Sequence, residues 1–229
     1  MPRSVKTELL ASYSTIVDLG GRAREIIAPY REIATGVNVQ QSNRPDERVA
    51  LLFQEEGYAI DLNWERIAFV GVDSRESYRD DTGPLRFFFQ ILGDLREDES
   101  FGEVDGFRLN TWDIFESTEY SDAESFQSEF IAGSTPNLSA PVEDAAIHLE
   151  SASATMTFGP FRPETDIQKH NLLIFDNQLS GRGAELMTTE GVLANVAAKS
   201  ESPSAASHND FLSLIDRRES LIERLQDAL

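Results

Sequence analysis

Three short apolar runs follow one another between residues 49 and 72, and their spacing favours an antiparallel sheet. Val49–Phe53, Tyr58–Leu62 and Ile67–Val72 are each of strand length. In the second run Tyr58, Ile60 and Leu62 alternate with Ala59 and Asp61, the period of two that sends neighbouring side chains to opposite faces. Glu55-Glu56-Gly57 and Asn63-Trp64-Glu65 are too short to carry a crossover helix, but they suit hairpins. A meander of antiparallel strands follows.

Other segments attach to that meander. Leu9–Leu19 mixes apolar and hydroxyl residues and fits a strand or a helix, and Gly20-Gly21 breaks it. Ala23, Ile26, Ile27, Tyr30, Ile33 and Ala34 recur at helical spacing, with Pro29 imposing a kink. Gly36 ends this pattern, and the polar stretch from Asn38 to Asp46 reads as a loop. Pro84 suits the first turn of a helix over Leu85–Leu95, whose apolar residues cover most of its circumference. Such a helix belongs in a core, buried on more than one side.

Beyond it, Gly106–Phe115 reads as a strand, and Ser121 with Glu124 forms a capping-box pattern ahead of Ala123, Phe126 and Phe130. Ala145–Leu149, Ala154–Phe158 and Leu172–Phe175 read as further strands, and Glu190–Ala198 as a short helix. The two halves share a loose order of three strands and then a helix, without a residue-level repeat. Grouped strands, rather than strict strand–helix alternation, predict an α+β fold. The expected architecture is a mainly antiparallel sheet of about six strands, with helices packed on one face and a C-terminal helix. The expected organisation is a single domain over 1–199, a flexible Ser/Ala-rich linker over 200–209, and an amphipathic helix over 210–229, capped by Asn209.

Charge and composition exclude several classes. The 229 residues carry a net charge of −20 and no cysteine, so disulfides, thiolate nucleophiles and cysteine-held metals are impossible. The three histidines, His148, His170 and His208, lack the spacing of a helical metal motif. Neither a metal nor another cofactor is expected. No apolar run reaches the ~18 residues of a membrane helix, and Arg3 and Lys6 precede no apolar signal stretch. The expectation is a soluble cytoplasmic protein that binds neither membrane nor nucleic acid directly, since both are anionic. Lys6, Lys169 and Lys199 are the only lysines among 20 basic residues. Arginine-rich coding and salt adaptation both produce that bias.

Half of the charge excess lies in one stretch. Glu97 to Glu129 holds 11 acidic residues against Arg108 alone, interleaved with aromatics that include Phe101 and Trp112. As a solvated face it would turn its aromatics inward. As a docking surface it would offer Glu97, Asp98, Glu99, Glu103, Asp105 and Trp112 to a basic partner, the acids steering the encounter. Its sharper form is an inhibitor that mimics a nucleic-acid backbone and captures a basic DNA-binding protein. Calcium is disfavoured, because the acids do not follow the EF-hand spacing.

The second interaction candidate is the C-terminal helix. Phe211, Leu214, Ile215, Leu221, Ile222 and Leu225 share one face, interrupted by Arg217 and Arg218. A lone helix of this length is marginal in water, so the face needs its own sheet, a second copy or another subunit.

Catalytic signatures are sparse. There is no phosphate-binding loop, nucleophile elbow or dinucleotide fingerprint. The best concentration of chemistry is Arg162, Glu164, Asp166, Lys169 and His170, with His148 and Glu150 on a preceding strand. If His170 folded beside His148, a His–carboxylate pair could serve acid–base chemistry. The sequence therefore favours a non-enzymatic interaction or assembly component, oligomeric or bound to another protein. An enzyme acting through carboxylates or His148 and His170 is the alternative.

Overall fold

The structure, a computed structural model, describes residues 2–15, 22–40, 47–72, 78–99, 101–118, 120, 126, 142–143, 146–151 and 154–226. Ten strands form one antiparallel sheet: β1 (Arg3–Thr15), β2 (Gly36–Gln40), β3 (Arg48–Phe53), β4 (Tyr58–Leu62), β5 (Arg66–Gly71), β6 (Phe101–Glu116), β7 (Val142–Glu143), β8 (Ala146–Ser151), β9 (Ala154–Phe161) and β10 (Gly191–Lys199). Among the described residues five α-helices accompany it: α1 (Arg22–Ile27), α2 (Leu85–Arg96), α3 (Ile167–Asn177), α4 (Gly183–Leu186) and α5 (His208–Gln226). The fold is α+β with an antiparallel sheet, larger than the six strands expected.

The strand order is β2-β3-β4-β5-β1-β6-β10-β9-β8-β7. Read outward from the centre, one half runs β1-β5-β4-β3-β2 and the other β6-β10-β9-β8-β7. Each half begins with its central strand, jumps to its outer edge, returns strand by strand and ends in a helix, α2 or α5. The loose similarity of the two halves is therefore a duplicated topology. The copies meet where β1 and β6 pair antiparallel along most of their length, from Arg3↔Ile114 to Thr15↔Phe101.

Alternation builds the main core. Val49, Leu51 and Phe53, then Tyr58, Ile60 and Leu62, then Val192, Ala194, Val196 and Ala198 all point to one face and are buried. On that face α2 buries Leu85, Phe88, Ile91, Leu92 and Leu95, with Phe87 and Phe89 half-buried beside them, as its near-continuous apolar surface requires. Gly57 turns the β3–β4 hairpin at φ 74°, a conformation that favours glycine.

Several expectations are corrected. Helices lie on both faces: Ile114, beside the inward Asp113, turns to the opposite side and packs with Val5, Phe161, Leu173 of α3 and Leu186 of α4. Leu172–Phe175 lies in helix α3 and not in a strand, while residues 190–198 are mostly strand β10 and not a helix. Of the loop expected over Asn38–Asp46, residues 38–40 belong to strand β2 and 41–46 lie outside the described residues, while 9–15 is strand. The helix expected at 123–130 lies outside the described residues except for Phe126, which is buried and meets Phe158 edge-on.

Two features fix α5. Ser207, not Asn209, caps it: the Ser207 amide donates to the Asp210 carboxylate at 2.9 Å, and the Asp210 amide donates back to Ser207 Oγ at 3.3 Å. Arg218 is turned into the core, 1% exposed, with Nη2 on Asp113 Oδ2 at 2.5 Å and Nε on Thr111 Oγ1 at 3.0 Å. The segment before α5, expected to be a linker, is held by Arg96, which donates to the carbonyls of Ser204 and Ala205, and by the buried Ala206.

Removing one member of a buried ion pair strands the other charge in a dry site. Arg218→Met is therefore expected to cost about 3–5 kcal/mol in urea denaturation, with most of that loss recovered in Arg218→Met/Asp113→Leu. A second expectation concerns alkali. Burial, with the charge of Asp61, raises the Tyr13 pKa far above its ordinary value, and burial also raises that of Tyr58. The unfolded chain releases these protons near pH 10 while the folded chain keeps them. Stability is thus complete below about pH 10 and falls above it, by about 1.4 kcal/mol per pH unit from Tyr13 alone. Denaturation midpoints measured between pH 8 and 11 check the sign.

Candidate functional site

The fold redistributes the sequence candidates. Phe211, Leu214, Ile215, Leu221, Ile222 and Leu225 are 0–4% exposed, packed against the chain's own sheet. Their apolar face is core, so it offers no free surface. Arg217 and Arg218, which interrupt that face in sequence, diverge: Arg218 enters the core, while Arg217 reaches outward to the Lys199 carbonyl at 2.9 Å and Glu201 at 3.6 Å.

The acidic stretch divides as well. Glu97 and Glu99 follow the C-terminus of α2, and Glu103 and Asp105 lie at the start of β6; all four are exposed and form no ion pair among the described residues. Asp98 is half-buried. Asp113 leaves the belt for the core. Trp112 leaves it for the opposite face, where Lys6 Nζ lies 4.8 Å from its ring centroid.

The polar cluster does not assemble an acid–base pair among the described residues. His148 lies on β8 opposite Thr157, its side chain outside the described residues. His170 sits on α3 with its ring 6.5 Å from that of Phe161, and its Nε2 is buried without a hydrogen-bond partner. Arg162 lies 3.7 Å from Glu190, and Lys169 lies 3.8 Å from Asp166. These are surface ion pairs around the first turn of α3. Among the described residues no group of His, Asp and Glu is placed to hold a metal ion, and no helix is long and apolar enough to cross a membrane.

Sequence reasoning missed the region around β2. This strand is one edge of the sheet, and a cavity adjoins each of its faces. On the α1 side, about 300 Å³ is enclosed by Arg24, Ile27, Arg31, Val37, Val39 and Val49. Glu47, 2% exposed, holds Arg24 through two hydrogen bonds, Nε to Oε1 at 2.5 Å and Nη2 to Oε2 at 2.8 Å. Arg31 has no ion-pair partner among the described residues.

On the opposite side a larger cavity of about 440 Å³ is polar at its rim, with Asn38, Gln40, Gln54 and Gln178, and apolar along Ala50, Leu52 and Val70. Gln178 and Leu179 reach it from the turn after α3. Arg48 and Asp61 also line it, paired at 2.5 Å. Asp61 is buried and, among the described residues, its Oδ1 has no partner and Arg48 is the one cation neutralising that carboxylate. The signal for both cavities was present only as unremarkable residues, Val37 to Gln40 and Arg48, which the β2–β3 register brings together.

Comparison of the sequence with protein-family models and with curated proteins finds no match.

Because the Arg48 guanidinium is the counter-charge of a buried carboxylate, Arg48→Met is expected to destabilise the fold by about 1–3 kcal/mol. Arg48→Lys should retain most of the stability. Thermal denaturation of the two variants beside the parent chain separates loss of charge from loss of side-chain length.

Proposed function

We propose that this protein is a non-catalytic interaction component that receives a basic protein partner on the acidic corner between α2 and β6. The observation that carries the reading is the set of four exposed carboxylates, Glu97, Glu99, Glu103 and Asp105, that form no ion pair among the described residues. Two of them follow directly on the C-terminus of α2, the negative end of the helix dipole, where anions are destabilising. Arg96, the cation best placed to offset them, instead donates to the Ser204 and Ala205 carbonyls. An arrangement that weakens the isolated fold is accounted for by a positively charged partner that compensates it. Unscreened carboxylates also raise the encounter rate with such a partner and make it fall with salt.

The test is a quadruple variant, Glu97→Gln, Glu99→Gln, Glu103→Gln and Asp105→Asn, compared with the parent chain as bait in extract from its own cells. A stoichiometric basic partner, retained by the parent at low salt, released at high salt and lost by the variant, is the expected result. The variant should melt no lower than the parent, because neutralising charges at that helix end relieves repulsion worth about 0.3–1 kcal/mol for each charge. A partner that binds the variant equally well overturns the acidic corner as its docking surface.

A further inference from the structure

The edge strand β2 combines three properties that bear on what can bind there. It ends the sheet, and no other described strand pairs with its outer side, so its outward backbone groups are available to a further strand. Its sequence, Gly36-Val37-Asn38-Val39-Gln40, carries no charge and no proline, the usual devices that keep an edge from pairing. Its successive side chains line cavities on alternate faces: Val37 and Val39 the α1 side, Asn38 and Gln40 the opposite side. An extended chain laid against β2 would obey the same period of two and send alternate side chains into the two cavities.

The cavities also specify those side chains. On the α1 side the wall is aliphatic, with Val39 41% exposed, and among the described residues Arg31 has no carboxylate to pair with although the chain as a whole is strongly acidic. Arg24 is already committed to Glu47. The unmet requirement there is one carboxylate flanked by apolar groups. On the opposite side the carboxamides of Asn38, Gln40, Gln54 and Gln178 offer donors and acceptors without net charge, which suits hydroxyl or amide side chains.

We infer that β2 captures an extended segment of a partner protein as an eleventh strand. That segment alternates apolar and acidic residues on the α1 side with hydroxyl or amide residues on the other. This site is separate from the acidic corner and deepens the interaction reading, on which it rests, by naming a second contact and its chemistry.

The probe is the blocked peptide acetyl-Thr-Val-Thr-Glu-Thr-Val-amide, titrated into the full isotope-labelled chain and followed by amide chemical shifts. The control peptide has Lys in place of Glu. The expected result is a set of shifts centred on residues 36–40 and 48–52, with the Glu peptide bound about tenfold more tightly than the Lys peptide. Arg31→Gln should abolish that preference while leaving the fold and the shifts from backbone pairing in place. Val39→Pro, with unchanged far-ultraviolet dichroism, should weaken both peptides.

Shifts centred elsewhere, no shift at millimolar peptide, or a Glu preference that survives Arg31→Gln would each overturn the assignment. So would a doubled molecular mass with the same amides perturbed in the absence of peptide, which would identify the occupant as a second copy. If the peptide fails while the acidic corner still retains its basic partner, the β2 assignment falls alone.

Discussion

Arg218 and Asp113 form a buried ion pair on β6, the strand through which the two halves of the sheet are joined. β6 pairs with β1 on one side and β10 on the other, so it belongs to both halves of the structure. Burying two charges is costly, and the attraction between them offsets that cost only when geometry is good and remaining donors are used. Thr111, two residues from Asp113 and on the same face, accepts from Arg218 Nε. The guanidinium therefore has two fixed points on one strand, which sets both the rotation of α5 and its position along the sheet. With that rotation fixed, Phe211, Leu214, Ile215, Leu221, Ile222 and Leu225 fall against the core together. Hydrophobic burial supplies most of the stability, but it is non-directional, whereas the ion pair permits few alignments.

The duplicated topology makes the differences between the halves informative. Both halves cover the core face with a terminal helix. The second half also inserts α3 and α4 between β9 and β10, and these cover its opposite face around Ile114 and Phe161. In the first half the corresponding connection, between β4 and β5, is a short turn at Asn63, where the side-chain oxygen accepts from the amides of Glu65 and Arg66. Among the described residues no helix of that half covers its reverse face, and the turn following α3 reaches across with Gln178 and Leu179 to close one wall of the cavity.

The parts of this fold legible in the sequence were those with local signals. The hairpins at 49–72 carry alternation and short turns, and α2 carries a proline start and a dense apolar run, so both were read correctly. α3 was not, because Leu172–Phe175 is a run of four apolar residues without a period; in the helix Leu173 is buried while Leu172 is 50% exposed. β10 was misread for a related reason. Its outward residues Leu193 and Ala197 are as apolar as its inward Val192 and Ala198, so the strand period is masked, and its three alanines favour helix. Arg218 and Asp113 look like surface residues in any local window, and only their juxtaposition across 105 positions makes them core. The β2 cavities are likewise a product of long-range register.

Arginine predominates over lysine in this chain, and the structure gives that preference a physical use. Glu47, Asp61 and Asp113 are buried carboxylates, and each is met by an arginine: Arg24, Arg48 and Arg218. Arg3 and Glu185, and Arg79 with Asp216 and Glu219, tie distant segments at the surface in the same way. A planar guanidinium can hold a carboxylate with two parallel hydrogen bonds, as Arg24 does, or bridge a carboxylate and a hydroxyl, as Arg218 does. An ammonium group lacks that fixed fork. Buried acids in a chain with a net charge of −20 must compete with many surface acids for few cations, so those cations need geometries that discriminate between them. Among the described residues this distribution leaves Glu97, Glu99, Glu103 and Asp105 without ion pairs, and it leaves Arg31 beside an apolar cavity without a carboxylate. An excess of one charge at the α2–β6 corner and an unmatched opposite charge at the β2 edge are complementary deficits on one molecule, and both are surfaces where a second molecule could supply the missing ion.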